Sequence, residues 1–245
     1  MEYVILFFIG VCGTTLGTIA GGGGLISLPA MLLLGVPIHS AIGANKVSNT
    51  VSSFSSILHL TLKKQLSLKQ CVWIIPVSLA GGISGSYIAT NISEEKMGIL
   101  AVFLLLFAFI TSFVRKKSFF GEESLKPNKI SITGLYMIGS YDGMFGPGQG
   151  TLMLYLFSFL NIAYIKAVGY VRLATFSSCI GAAITYILSG KVIWPVTIAL
   201  LLGSVTGAQI GIRIAERIRS DLVKPIIRIV LLALIIQISL DYFPF

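Results

Sequence analysis

The chain has 245 residues, of which 55% are hydrophobic and 11% charged, and its net charge is +9. A soluble domain ordinarily carries about a quarter charged residues, so this composition excludes an ordinary water-soluble globule. The positive charge is not a nucleic-acid footprint. Lys63, Lys64 and Lys69 form one basic group, Arg115, Lys116 and Lys117 a second, and Arg213, Arg217 and Arg219 a third. Each stands between apolar segments, where cytoplasmic loops of membrane proteins collect Lys and Arg.

The first segment opens Met1-Glu2-Tyr3 without a basic leader, so it is expected to be mature structure. Apolar segments then fall near 3–18, 24–36, 38–62, 70–90, 96–114, 130–146, 150–162, 166–188, 192–212 and 223–241. The pattern predicts an all-α polytopic membrane protein with 8–10 membrane segments, about five hydrophobic segments in each half. The polar stretch RKKSFFGEESLKPNK at 115–129 divides the halves. The expected organisation is a first transmembrane repeat over 1–114, a cytoplasmic linker over 115–129 and a second repeat over 130–245. Segments 3–18 and 24–36 are short for full crossings, which points to glycine-broken or re-entrant helices at 3–36 and 130–162.

The positive-inside rule places loops 63–69, 115–129 and 213–222 in the cytoplasm. Loop 91–95, with Glu94 and Glu95, and loop 189–191 then lie outside. Equivalent loops of the two halves therefore have opposite orientation, as inverted repeats require.

The repeat is visible in the residues. A constant offset of 126 pairs Gly17 with Gly143, Gly22 with Gly148 and Gly24 with Gly150. It also pairs Ala41 with Ala167, Gly43 with Gly169, Lys46 with Arg172 and Ser52 with Ser178, without a gap. Inverted repeats are a plan of secondary transporters, whose sites lie near the midplane at discontinuous helices. The glycines 21–24 and 146–150 are read as such breaks, with Gly22, Gly23, Gly24, Gly148, Gln149 and Gly150 offering backbone donors to an anion. Pro147 strengthens the second break, because it removes a helix hydrogen bond. Close helix packing is the plainer use of such glycines.

Lys46 and Arg172 lie at matching depths well inside their apolar segments, where a cation costs about 2.5–3.5 kcal/mol. Two cations at equivalent positions point to a water-accessible anion site, to which Arg adds a planar fork. Asn45, Asn49, Ser52 and Ser56 share one helical face, and Lys46, Asn49 and Ser53 an adjacent strip. Arg172, Thr175 and Ser178 or Cys179 repeat that rhythm. Asp142, the one carboxylate well inside the apolar segments, is expected to pair with Lys46 or Arg172, or to protonate during transport. Tyr170 is a weaker candidate for the lining, and His39 and His59 read as residues of segment ends. Cys12, Cys71 and Cys179 read as packing residues. With no CxxC and no His/Cys/Asp/Glu cluster, no metal or other cofactor is expected.

The GxxxGxGGG-type stretch followed by a proline, Gly17 through Pro29, resembles the TauE/SafE sulfite exporter family. Its degenerate copy at 143–155 and the central basic linker are similar to that family over essentially the whole chain. In the second copy Pro147 and Gln149 replace Gly21 and Gly23, and Tyr155 replaces Pro29. The resemblance implies a multi-pass permease of the plasma (inner) membrane, working as an exporter, and substrates such as sulfite and related organic or inorganic sulfur compounds. The expected partners are a small anionic substrate and the lipid bilayer, with no nucleic acid. The residues predict alternating access around a midplane site, with an anion channel of the same architecture as the alternative. No nucleotide-binding motif stands in a fitting context and no catalytic set converges, so the chain is not expected to be an enzyme.

Overall fold

The structure is a computed structural model that describes residues 2–20, 24, 26–67, 71–111 and 125–215. Segment 223–241, glycines 21–23 and most of linker 115–129 lie outside the described residues. Those described form nine α-helices: α1 (Glu2–Ala20), α2 (Ser27–Leu33), α3 (Ile38–Leu62), α4 (Ile74–Thr90), α5 (Glu94–Thr111), α6 (Lys129–Met144), α7 (Gln149–Phe159), α8 (Tyr164–Leu188) and α9 (Trp194–Ala215). There is no strand among the described residues.

The solvent pattern of a soluble protein is turned inside out. Phe8, Phe54, Leu58, Ile88, Phe103, Ile110, Met137, Phe159, Leu188 and Leu202 are exposed, whereas Lys46, Ser52, Ser53, Ser56, Ser178 and Asp142 are buried. Apolar surface on that scale suits lipid, and the polar groups are withdrawn from it. Helices α1, α8 and α9 are long and apolar enough to cross a bilayer. Helix α3 has the same 25-residue length as α8, and its polar face is covered by other helices.

The first segment is longer than its sequence suggests. Helix α1 has 19 residues, a rise of about 28 Å, close to the hydrocarbon thickness of a bilayer. Thr18 Oγ1 turns back on Thr14 O at 2.7 Å, and Thr15 Oγ1 donates to Gly207 O of α9 at 3.0 Å, so these hydroxyls are satisfied within the helix pair. Helix α2 has only seven residues and is far too short to span. In the second half α6 has 16 residues and α7 has 11. Helix α6 starts on a capping box: Asn128 Oδ1 accepts from Ser131 N at 2.8 Å, and Ser131 Oγ accepts from Asn128 N at 2.9 Å.

The offset of 126 recurs in the backbone. It carries both bounds of α3 (38 and 62) onto those of α8 (164 and 188). After α2 and α7 the left-handed residues are Gly35 and Asn161, and after α3 and α8 they are Lys64 and Gly190. The closing bonds correspond as well. Val36 N to Met31 O (3.1 Å) matches Ile162 N to Phe157 O (3.0 Å), and Gln65 N to Leu60 O (2.9 Å) matches Lys191 N to Tyr186 O (3.1 Å).

Helix packing follows the same exchange. Helix α1 packs on α9 and α6 on α4, so the opening helix of each half lies against the fourth helix of the other. Gly81 and Gly85 of α4, and at the same offset Gly207 and Gly211 of α9, make those contacts. A Cβ at any of the four would run into the backbone of the facing helix. Helices α3 and α8 pack together between these pairs, α3 also on α9 and α8 on α4, and so carry their ninth residues, Lys46 and Arg172, into the interior.

Candidate functional site

Lys46 is fully buried, and its Nζ donates to Asp142 Oδ1 at 2.8 Å across 96 residues of sequence. The second carboxylate oxygen, Asp142 Oδ2, accepts from Ser178 Oγ at 2.5 Å and from Cys179 Sγ at 3.4 Å. Helices α3, α6 and α8 each contribute to this cluster. The ammonium does not reach for an interface; its charge is met inside the protein.

The second glycine break is built against that pair. Helix α6 ends at Met144, and the chain turns through Gly146 (φ +104°) and Gly148 (φ +84°) into α7. A Cβ on Gly146 would collide with Lys46 Nζ and lie 2.8 Å from Asp142 Oδ1. The backbone conformation and the space both call for glycine at this position. Tyr141 OH donates to Pro147 O at 2.5 Å and holds the turn to the end of α6.

The first break meets the adjacent residue of the same helix. A Cβ on Gly24 would lie 3.2 Å from Asn45 Oδ1. Asn45 Nδ2 donates to Ser27 Oγ at 2.7 Å, and Asn49 Nδ2 to Asn45 Oδ1 at 2.8 Å, so α3 and the start of α2 share a polar chain. Both breaks thus converge on Asn45 and Lys46. Gly22 and Gly23 lie outside the described residues.

Arg172 is buried at 4% exposure, yet among the described residues no carboxylate lies within ion-pair distance of it. Tyr164, two turns earlier on α8, reaches Ile19 O at 3.3 Å, tying α8 to the end of α1. Thr175 Oγ1 accepts from Gln149 Nε2 at 2.6 Å, while Gln149 Oε1 and Ser53 Oγ are buried without a hydrogen-bond partner among the described residues. Ser52 Oγ donates to Asn49 O at 3.3 Å and Ser56 Oγ to Ser52 O at 3.0 Å. Gly150 is buried in the first turn of α7.

Two expectations change. Tyr170 packs edge-to-face on Phe157, with ring centroids 5.8 Å apart in the hydrophobic core, because its helix face meets α7. Cys179 is more than a packing residue, since its thiol points at Asp142. Nothing in the sequence singles out Ser27, although it stands just inside the glycine motif, and Gly146 stands out there only as part of the second break. His39 is buried, with Nε2 3.0 Å from Ile92 O and 3.6 Å from Glu94, which ties the start of α3 to the α4–α5 turn.

A bundle with an apolar exterior and a buried Lys–Asp pair beside broken helices belongs to the class of polytopic membrane proteins with an internal polar site. The sequence profile described as sulfite exporter TauE/SafE matches residues 6–238, and the chain belongs to that family. It is 31% identical to a probable membrane transporter protein, ORF9, of Sinorhizobium sp., over 98% of this chain and 95% of that one. It is 28% identical to a probable membrane transporter protein of Haemophilus influenzae, over 91% and 89% of the two chains. It is 29% identical to the probable membrane transporter protein YfcA of Escherichia coli K12, over 92% and 85%. No solved structure matches. The protein is a multi-pass membrane transporter of the plasma membrane, and not an enzyme.

Proposed function

We propose that this chain is a secondary transporter of small anions, with sulfite and related organic or inorganic sulfur compounds as substrates, working in the export direction. The two halves, 1–114 and 130–245, act as inverted repeats joined by a cytoplasmic linker over 115–129, and access alternates around a site between them. The observation that carries this reading is the convergence of the two glycine breaks on Asn45 and Lys46 of one helix, with a second buried cation on the facing helix.

Arg172 is the principal counter-charge of the substrate, because Lys46 already has Asp142. A planar guanidinium suits an oxyanion and makes charge-assisted hydrogen bonds. Lys46, Asn45, Asn49, Ser52, Ser53, Thr175 and Ser178 complete the lining. Gly24, Gly148, Gln149 and Gly150 bring backbone and amide groups to it, a role the sequence motif extends to Gly22 and Gly23. Gln149 Oε1 and Ser53 Oγ, buried and without a partner among the described residues, are polar atoms that a bound, partly hydrated anion would satisfy.

Flux of sulfite, thiosulfate, sulfoacetate and chloride into liposomes holding the purified protein tests the proposal. Saturable flux of the sulfur anions that Arg172→Ala abolishes is the expected result. A folded Arg172→Ala protein carrying sulfite at the wild-type rate would overturn the site. Flux that does not saturate, or single-channel currents, would assign the same architecture to an anion channel.

A further inference from the structure

We propose that Asp142 is a proton-binding site coupled to the anion, so that one proton crosses the membrane with each anion carried. This rests on the anion reading and adds the identity of the coupling ion.

Lys46 Nζ has Asp142 Oδ1 as its one hydrogen-bond acceptor among the described residues, which leaves two of its three N–H groups unfilled. An anion approaching them meets an ammonium that a carboxylate already neutralises at 2.8 Å. Two negative charges on one buried ammonium repel strongly, since water does not screen them. A proton on Asp142 removes that repulsion and leaves the ammonium to the anion.

The surroundings of Asp142 accommodate both of its states. Ionised, its two oxygens accept from Lys46, Ser178 and Cys179. Protonated, it needs an acceptor. Ser178 Oγ also lies 3.0 Å from Ala174 O and 3.2 Å from Thr175 O. The hydroxyl proton therefore turns to those carbonyls, and its lone pair accepts from the carboxylic acid.

The groups facing Asp142 are few. Helix α3 presents Lys46, and α8 presents Ser178 and Cys179. Helix α4 meets α6 with Gly81, Gly82 and Ser84, and α7 meets it with Leu156. On α6 itself, Tyr141 turns its hydroxyl toward Pro147 O and Leu104 O. Lys46 is thus the one ionic partner Asp142 has among the described residues, and the anion and the carboxylate compete for it.

The cycle conserves charge and atoms. Asp142 takes a proton from water on the side where the anion enters. Release of anion and proton to the other side restores the Lys46–Asp142 pair. A dianion crosses with one negative charge remaining, so an interior-negative potential still favours its exit.

Thiosulfate and sulfoacetate are the probes, because their charge does not change near neutral pH. The full chain in liposomes with a lumenal pH dye is expected to acidify the lumen by about one proton per anion taken up. An acidic exterior is expected to raise accumulation severalfold over equal pH. In Asp142→Asn the ratio of protons to anions falls toward zero. Ser178→Ala shifts the pH profile of uptake, which loss of packing alone would not do. Saturable flux without lumenal acidification, and indifferent to the pH gradient, overturns the coupling and leaves the anion reading standing. Absence of any anion flux overturns both. Should Asp142→Asn fail to fold, the wild-type stoichiometry decides alone.

Discussion

The two buried cations occupy the same place in the two halves and have opposite circumstances. Lys46 is held by a carboxylate, a glycine turn and the neighbours of that carboxylate, whereas Arg172 has no ion pair among the described residues. Backbone and helix packing correspond closely at the constant offset of 126, whereas the surroundings of the two charges do not. Among the described residues one cation has a carboxylate for a partner and the other has none.

The sharpest way to break that contrast is to remove Asp142. Asp142→Ala strands a buried ammonium and is expected to cost about 3–5 kcal/mol. Thermal unfolding in detergent reads the loss, and the Lys46→Ala/Asp142→Ala double variant should recover much of it, giving a large coupling energy in a double-mutant cycle. Additive losses would mean that Lys46 and Asp142 do not act as one unit.

Arg172→Ala should behave in the opposite sense. Stability stays within about 1 kcal/mol of the wild type, or rises, because no carboxylate among the described residues is stranded. Anion flux falls about tenfold to a hundredfold, the equivalent of one charge-assisted hydrogen bond at about 1.5–3 kcal/mol. Arg172→Lys should restore part of the flux, since the charge remains and the planar fork does not. A protein that loses stability and flux together would mean that Arg172 holds the fold as well as the anion.

Much of this arrangement is legible in the residues, and the limits have physical causes. The membrane class, the repeat and the matching cations follow from composition and the constant offset. The partner of Lys46 does not. Asp142 has no counterpart in the first half, where Leu16 stands at that offset, and nothing local links residues 96 apart. The length of α1 is hidden because the apolar segment reads as 3–18, while the helix, with its glycines and threonines, runs from Glu2 to Ala20. In a bilayer such residues stay helical when a neighbour packs on them, as α9 packs on α1. The offset also reaches the fourth helices, since Gly81 and Gly85 align with Gly207 and Gly211, well beyond the stretch around the glycine motif.

The breaks themselves differ by two residues. Ala20 is still helical, while Gly146, at the same offset, has φ +104°. Gly146→Ala is expected to cost about 2 kcal/mol or more from backbone strain and displacement of Lys46. Gly35→Asn, at a position whose counterpart is Asn161, should be tolerated with little change in melting temperature. Equal sensitivity at the two positions would mean that the second break is no more constrained than an ordinary helix-ending turn.

The mildest comparison concerns the turn after the long helices. Lys64 and Gly190 close α3 and α8 with the same bonds and the same left-handed backbone, and both are exposed. A lysine meets a steric cost there that glycine escapes, on the order of 1 kcal/mol. Lys64→Gly should therefore raise the melting temperature slightly, and Gly190→Lys should lower it by a similar amount. If Lys64→Gly is neutral or harmful, the lysine is retained for its charge, as part of a basic loop that the positive-inside rule would hold in the cytoplasm. Reversing that loop's charge should then disturb insertion, whereas the same change beside Gly190 should not.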